Sequence, residues 1–208
     1  MEIIFATGNA HKMHEIRQIL AGLKIGGEEV QIFSMKEKGI DIDIVEDGKT
    51  FSENSQIKAK AVAAVCPNAM VMADDSGLEV DYINKEPGIY SARYLGEDTS
   101  YHVKNQNIID RIAEAKDEQR SARFVCAISC VLPNGEILTV SEAMEGRIAY
   151  EERGENGFGY DPIFLVPPYE KTSAELSEEG KNSISHRGKA LRSMKKKLEE
   201  YYESDLKR

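Results

Sequence analysis

Apolar positions along this chain follow two periods, and the switches between them mark out its elements. Glu2–Ala6 reads as a short buried strand. A polar turn follows, and then Met13, Ile16 and Leu20 fall on one stripe of a helix with charges on the other side. Thr50-Phe51-Ser52-Glu53 has the spacing of a capping box and opens a second helix, alanine-rich through Val65. Ala69–Ala73 is a short apolar run ending in acids, as a buried strand ends when it emerges at a sheet edge. A third amphipathic helix is predicted from about Val103 to Ala115.

Phe124–Leu132 then alternates Phe, Cys, Ile, Cys, Leu on one face. Pro133-Asn134-Gly135 turns the chain into Ile137–Val140, a hairpin signal, and Ile163–Val166 is a further short strand. The last helix starts at about His186, with Leu191, Met194, Leu198 and Tyr201 at helical spacing. Strands alternating with helices, plus one antiparallel hairpin, predict an α/β protein with a mixed central sheet and flanking helices. No repeat, low-complexity stretch or linker interrupts the pattern, so residues 1–208 read as a single domain.

Composition narrows the function classes. The chain has 208 residues, 41% hydrophobic and 30% charged, which is ordinary for a globular protein. A net charge of −9 argues against a nucleic-acid polymer as partner, since such binding needs a broad basic surface. A small anionic ligand remains compatible, because a few converging Lys and Arg suffice locally. The first apolar run, Ile3-Ile4-Phe5-Ala6, is too short for a signal peptide or a membrane span, so no membrane association is expected. Cys126 and Cys130, four apart on one strand face, read as reduced core residues, and Cys66 has no metal-ligand pairing. A reducing cytoplasm fits.

The candidate chemistry lies where strands end. In a strand–helix–strand unit the loop entering each helix lies at the carboxyl edge of the sheet, where ligands bind in open α/β folds. Thr7–Lys12, Glu46–Thr50 and Asp74-Asp75 are therefore expected at one edge. Thr7-Gly8-Asn9-Ala10-His11-Lys12 offers a glycine, exposed amides at a helix start and a lysine, all suited to an anion. It is not a Walker A loop, and Asn9 could equally just cap a helix beside a solvated Lys12. Glu46-Asp47 and Asp74-Asp75 offer oxygen ligands for a hard cation, or are two acidic pairs of an acidic protein. Acids emerging from an apolar run into what reads as a glycine turn at Ser76-Gly77 favour the functional reading for the second pair. Asn156-Gly157-Phe158-Gly159-Tyr160-Asp161-Pro162 could mould around a planar ring with Phe158 as the stacking face, or form a turn with packed aromatics. Lys181 sits in a polar loop, and Ser185-His186-Arg187 forms a donor cluster before the final helix, fitted to carbonyl or phosphate oxygens.

Together these segments resemble the inosine triphosphate pyrophosphatase family, the dITP/XTP pyrophosphatases of aberrant purine nucleotides. The resemblance runs through FATGNAHK, EDGKTFSENSQIKAKA, ADDSGLEVD, PGIYSARYLGE, GFGYDPIF and KNSISHRGKAL, in that order along nearly the whole chain. Residues 21–45 add no support. The resemblance implies hydrolysis of ITP, dITP and XTP to the monophosphate and pyrophosphate, dependent on Mg²⁺. It implies that Thr7, Gly8, Asn9, Ala10, His11, Lys12 and Lys58 hold the triphosphate, and that Glu46 and Asp75 hold the metal. Asp75 would also be the general base, and Ser76, Phe158, Gly159, Tyr160, Asp161, Lys181, His186 and Arg187 would contact substrate. An elongated fold with a nucleotide-binding cleft between two lobes, and a homodimer, are implied as well.

No histidine adjoins a Ser or Cys partner in a recognised triad motif, so direct attack by water is the simpler expectation. Hypoxanthine and xanthine carry a carbonyl at position 6 where adenine carries an amino donor. Donors from His186 and Arg187 would favour the former. A regulatory protein that binds nucleotide without hydrolysis is the rival reading, but pure binding does not require Asp75 beside a metal.

Overall fold

The computed structural model describes residues 1–205. The chain begins with β1 (Glu2–Phe5), α1 (Ala10–Ile19), the two-residue strands β2 (Lys24–Ile25) and β3 (Glu28–Glu29), and β4 (Gln31–Ser34). Next come α2 (Phe51–Val65), β5 (Met70–Val80), β6 (Glu86–Pro87) and α3 (Tyr101–Arg111). The long strands β7 (Ser121–Val131) and β8 (Ile137–Ile148) follow, then β9 (Phe164–Val166), β10 (Lys171–Thr172), α4 (Glu178–Ile184) and α5 (His186–Asp205).

Eight strands form one sheet in the order β10-β9-β8-β7-β5-β1-β4, with β6 paired to β5, while β2 and β3 pair separately. The sheet is mixed, as expected: β1 runs parallel to β4 and β5, whereas β8–β9, β9–β10 and β5–β6 are antiparallel. Contacts divide the chain into two compact units. Of the described residues, the first holds Met1–Asp75, Cys126–Glu142 and residues 187–205; the second holds Ser76–Val125 and Ala143–His186. Every crossing falls inside a regular element, in β5, β7, β8 and α5. That is why no linker composition marks the division.

The first unit is layered by strand alternation. Ile3 and Phe5 of β1, Met70 and Met72 of β5, and Cys126, Ile128 and Cys130 of β7 pack with Met13 and Ile16 of α1 and Leu191, Met194 and Leu198 of α5. Their neighbours Ile4, Ala6, Val71, Ala73 and Val131 face the other way and pack with Ala59 and Val62 of α2. Cys126 and Cys130 are buried free thiols, both pushed up to about 12 by desolvation, as core cysteines are. In the second unit, Leu78, Val80, Ile108, Ile112, Phe124, Met144, Ile163 and Phe164 share one core.

Several boundaries differ from the sequence pattern. β5 does not end at Ala73; it continues through Asp74, Asp75, Ser76 and Gly77 to Val80, so no glycine turn follows the acids. α3 starts at Tyr101, capped by the Ser100 hydroxyl, and ends at Arg111, with Val103 on its exposed side. Neither β4 nor α4 was expected, because Gln31–Ser34 is short and α4 (EEGKNSI) carries no apolar stripe.

Candidate active site

Because β1 and β5 are parallel and pair Phe5 with Met72, the carboxyl end of β1 lies beside β5 just before Asp74 and Asp75, which stand mid-strand and not, as expected, at a shared edge. Thr7–Lys12 leaves β1 there and enters α1. Asn9 caps that helix, its Oδ1 accepting from the His11 and Lys12 backbone N–H groups at 3.0 and 3.1 Å, while Thr7 Oγ1 accepts from Asn9 N at 3.2 Å. Gly8, Asn9, Ala10 and His11 are exposed. Lys12 is not simply solvated: its ammonium lies 3.0 Å from Asp74 Oδ2.

The continuation of β5 decides what its two acids do. Successive residues of a strand point to opposite faces, so Asp74 joins the α1/α5 face and Asp75 the α2 face. Asp74, fully buried, meets Lys12 at 3.0 Å and Arg187 Nε at 3.4 Å, and Arg187 also pairs with the buried Glu15 of α1. Burial opposes ionisation of Asp74, yet Lys12, Arg187 and Lys58 outweigh it and hold this carboxyl well below the usual aspartate range. Asp75 accepts from Asn54 Nδ2 at 3.1 Å and lies 3.5 Å from Lys58 Nζ, which sits 2.9 Å from Glu46. Burial raises the Asp75 carboxyl despite the opposing pull of Lys58 and Asn54, and Glu46 adds a further upward push. Lys58 resists its own desolvation because Asp75, Asp74 and Glu46 raise it, so it stays an ammonium. Two neighbouring acids thus have opposite characters: one locked as a counter-ion, the other strained toward accepting a proton.

Glu46 and Asp75, from a loop and a strand, therefore converge on one cation, the Lys58 ammonium. A pair of carboxylate donors already gathered about a positive charge fits a hard divalent ion that keeps waters and shares substrate oxygens. Among the described residues no group of three or more His, Cys, Asp or Glu side chains forms a closed metal cage.

The glycine-rich segment and Lys181 belong to the second unit. Lys181 lies in α4, not in a loop, and is buried; its ammonium is 2.7 Å from Asp161 Oδ2. The same oxygen accepts from the Phe158 backbone N–H at 2.8 Å, and Lys181 sits 4.9 Å from the centre of the Phe158 ring. Gly157 has φ +76°, and a Cβ there would fall 2.2 Å from Asp161 Oδ2, so only glycine fits. Tyr160 is a core residue, its hydroxyl donating to the Ser91 carbonyl at 2.7 Å and its ring edge-on to Tyr101. Ser76 and Phe158 are half-buried. His186 opens α5 and is buried, stacked on Phe124 with ring centres 4.9 Å apart. Adjacent helical side chains point roughly 100° apart, so His186 and Arg187 have separate surroundings instead of forming one donor cluster. Asn54 and Glu15 escaped the sequence reading. Each is a polar residue set among buried helix positions, Phe51, Ser55 and Ala59 for the first, Met13 and Ile16 for the second, and that misplacement was the available signal.

Comparisons with known proteins span nearly the whole chain. Residues 3–197 match the model of the Ham1 family. A dITP/XTP pyrophosphatase of Clostridium perfringens is 45% identical over 202 residues, covering 95% of this chain and 97% of the relative. One from Bacillus subtilis is 46% identical over 198 residues, with 95% and 97% covered. Among solved structures, the Staphylococcus aureus Ham1 protein superposes with a TM-score of 0.84 at 40% identity, covering 97% of this chain and all of that one. With a family model matched along nearly its whole length, and relatives this similar over 95% of its residues, the chain belongs to the Ham1 family.

Proposed function

We propose that this protein hydrolyses aberrant purine nucleoside triphosphates (ITP, dITP and XTP) to the nucleoside monophosphate and pyrophosphate, removing them from the nucleotide pool. The observation that carries the reading is the gathering of Glu46 and Asp75 about Lys58, next to where β1 ends beside β5, with Asp75 buried and its carboxyl raised. The relatives named dITP/XTP pyrophosphatase supply the substrate class.

Mg²⁺ would be held by Glu46 and Asp75, and when bound it supplies charge neutralisation along the triphosphate. The chain's own residues do the rest. Asp75 accepts the proton of the attacking water, a role suited to a carboxylate whose ionised form is destabilised by burial. Lys58 and Lys12 hold phosphate oxygens, with the Thr7–His11 turn bringing backbone close to them. Phe158 offers a face to the base, fixed by the hold of Asp161 on its amide. Ser76, Gly159 and His186 complete the substrate contacts, His186 serving the 6-carbonyl, while Lys181 and Arg187 act through their ion pairs with Asp161 and with Asp74 and Glu15, and Tyr160 through its packing. The working form is a cytoplasmic homodimer.

ITP incubated with the protein and Mg²⁺ tests the reading directly. IMP and pyrophosphate should appear together, with orthophosphate detected only after inorganic pyrophosphatase is added, and EDTA should abolish turnover. Accumulation of IDP and orthophosphate would refute the cleavage position; full activity in EDTA would remove the metal.

A further inference from the structure

One buried side chain ties the Glu46 loop to Asp75. Asn54, 1% exposed near the start of α2, accepts from the Gly48 N–H at 2.9 Å through Oδ1 and donates to Asp75 Oδ2 at 3.1 Å through Nδ2. The amide orientation is fixed by these partners, since a backbone N–H only donates and a carboxylate only accepts. We infer that Asn54 is a positioning residue, a clasp that sets the Glu46–Gly48 segment and the Asp75 carboxylate against each other for the reaction proposed above, on which this role rests.

The surroundings of Gly48 support it. Three successive backbone N–H groups of this loop are held by two adjacent side chains: Gly48 by Asn54, and Lys49 and Thr50 by Glu53 at 2.6 and 3.1 Å. Gly48 does not have a positive φ, so backbone freedom is not why glycine stands there. Close approach is the reason. A Cβ at Gly48 would lie 2.6 Å from Asn54 Oδ1, 2.8 Å from Glu53 Cβ and 2.9 Å from Asn54 N. The loop is drawn onto the helix as tightly as a residue without a side chain allows, and Asn54 is the group it is drawn against. Only an amide of this length serves both ends. Aspartate could not donate to Asp75 and would set a second negative charge beside it; alanine would leave both partners without this bond.

The same clasp can be broken from either side. Asn54→Ala removes the side chain, and Gly48→Ala pushes the loop off it. Both variants should lower kcat for ITP by roughly 10–100-fold, the usual cost of losing a group that orients a ligand residue, with KM within about threefold because base and triphosphate contacts remain. Asn54→Asp should be at least as slow as Asn54→Ala. Amide hydrogen exchange, read at Gly48 by NMR, should accelerate on the order of tenfold in Asn54→Ala, independently of any turnover. A kcat within threefold of wild type in folded Asn54→Ala overturns the inference, as does a loss that merely tracks unfolding in melts. If Asn54→Ala does not fold, Gly48→Ala decides by the same kcat criterion. Should the wild type itself not hydrolyse ITP, the hydrolytic reading fails, and unchanged exchange at Gly48 in the variant would then sink the clasp separately.

Discussion

In the proposed reaction the chemistry turns on Asp75. Its neighbours differ from those of Asp74 in one respect that matters: Asp74 is surrounded by cations, whereas Asp75 faces one lysine shared with Glu46. Asp75→Asn keeps the size and the polar contact but removes the proton acceptor, so kcat should fall by about 10²-fold or more while thermal unfolding changes little. Near-normal turnover in a folded variant would dismiss the assignment. Base recognition also belongs to this scale. His186 is stacked on Phe124, and Arg187 carries the buried carboxylates of Asp74 and Glu15, so truncating Arg187 would report on stability. His186→Ala isolates the question. It should lower kcat/KM for ITP by roughly 10-fold or more relative to ATP, the scale of one lost hydrogen bond to the substrate; proportional losses on both would move His186 out of base selection.

At the scale of elements, the length of β5 matters most. Had the strand stopped at Ala73, both acids would have entered a loop with no fixed relation to either face. As a strand it sends Asp74 toward α1 and α5, where it joins Lys12, Arg187 and Glu15 in a buried network linking three elements. Replacing one member leaves the others charged and uncompensated. Asp74→Asn should therefore cost about 3–5 kcal/mol in urea unfolding at neutral pH. Folding depresses the Asp74 carboxyl, so its stabilisation is present above the ordinary aspartate range and is lost as pH falls through the lower folded value. The difference between wild type and variant should accordingly persist through mildly acidic solution and shrink only in strong acid. A gap that closes near pH 6 would contradict this origin.

For the whole molecule, a net charge of −9 coexists with a proposed triphosphate site. The cations in question, Lys12 and Lys58, are each already paired with carboxylates, so the overall charge says nothing about local affinity. No helix among the described residues is long and apolar enough to cross a membrane. The proposed homodimer predicts a mass in light scattering of about twice 23.2 kDa at micromolar concentration. A mass near the single-chain value would withdraw that part of the proposal.

What the sequence determined by itself were the features governed by local rules. The capping box at Thr50 and Glu53 formed as its spacing requires, each side chain accepting from the other's backbone N–H at 3.1 Å, and α2 ran to Val65. The mixed sheet, the β7 core cysteines and the start of α5 also followed from periodicity alone, because burial of one face imposes it. The motif order sufficed to identify the family. Only the tertiary structure decided the fate of particular polar groups. That Lys181 is buried against Asp161, that Arg187 serves Asp74 and Glu15, and that Asn54 joins Gly48 to Asp75 depend on partners 20, 113, 172, 6 and 21 residues away. The pattern of apolar residues states which face of an element is covered; it does not state by what. A buried charge or amide is tolerable only if a specific partner meets it, and for Lys181, Arg187 and the Asn54–Asp75 bond that partner comes from a distant segment brought in by the fold, which no local window contains.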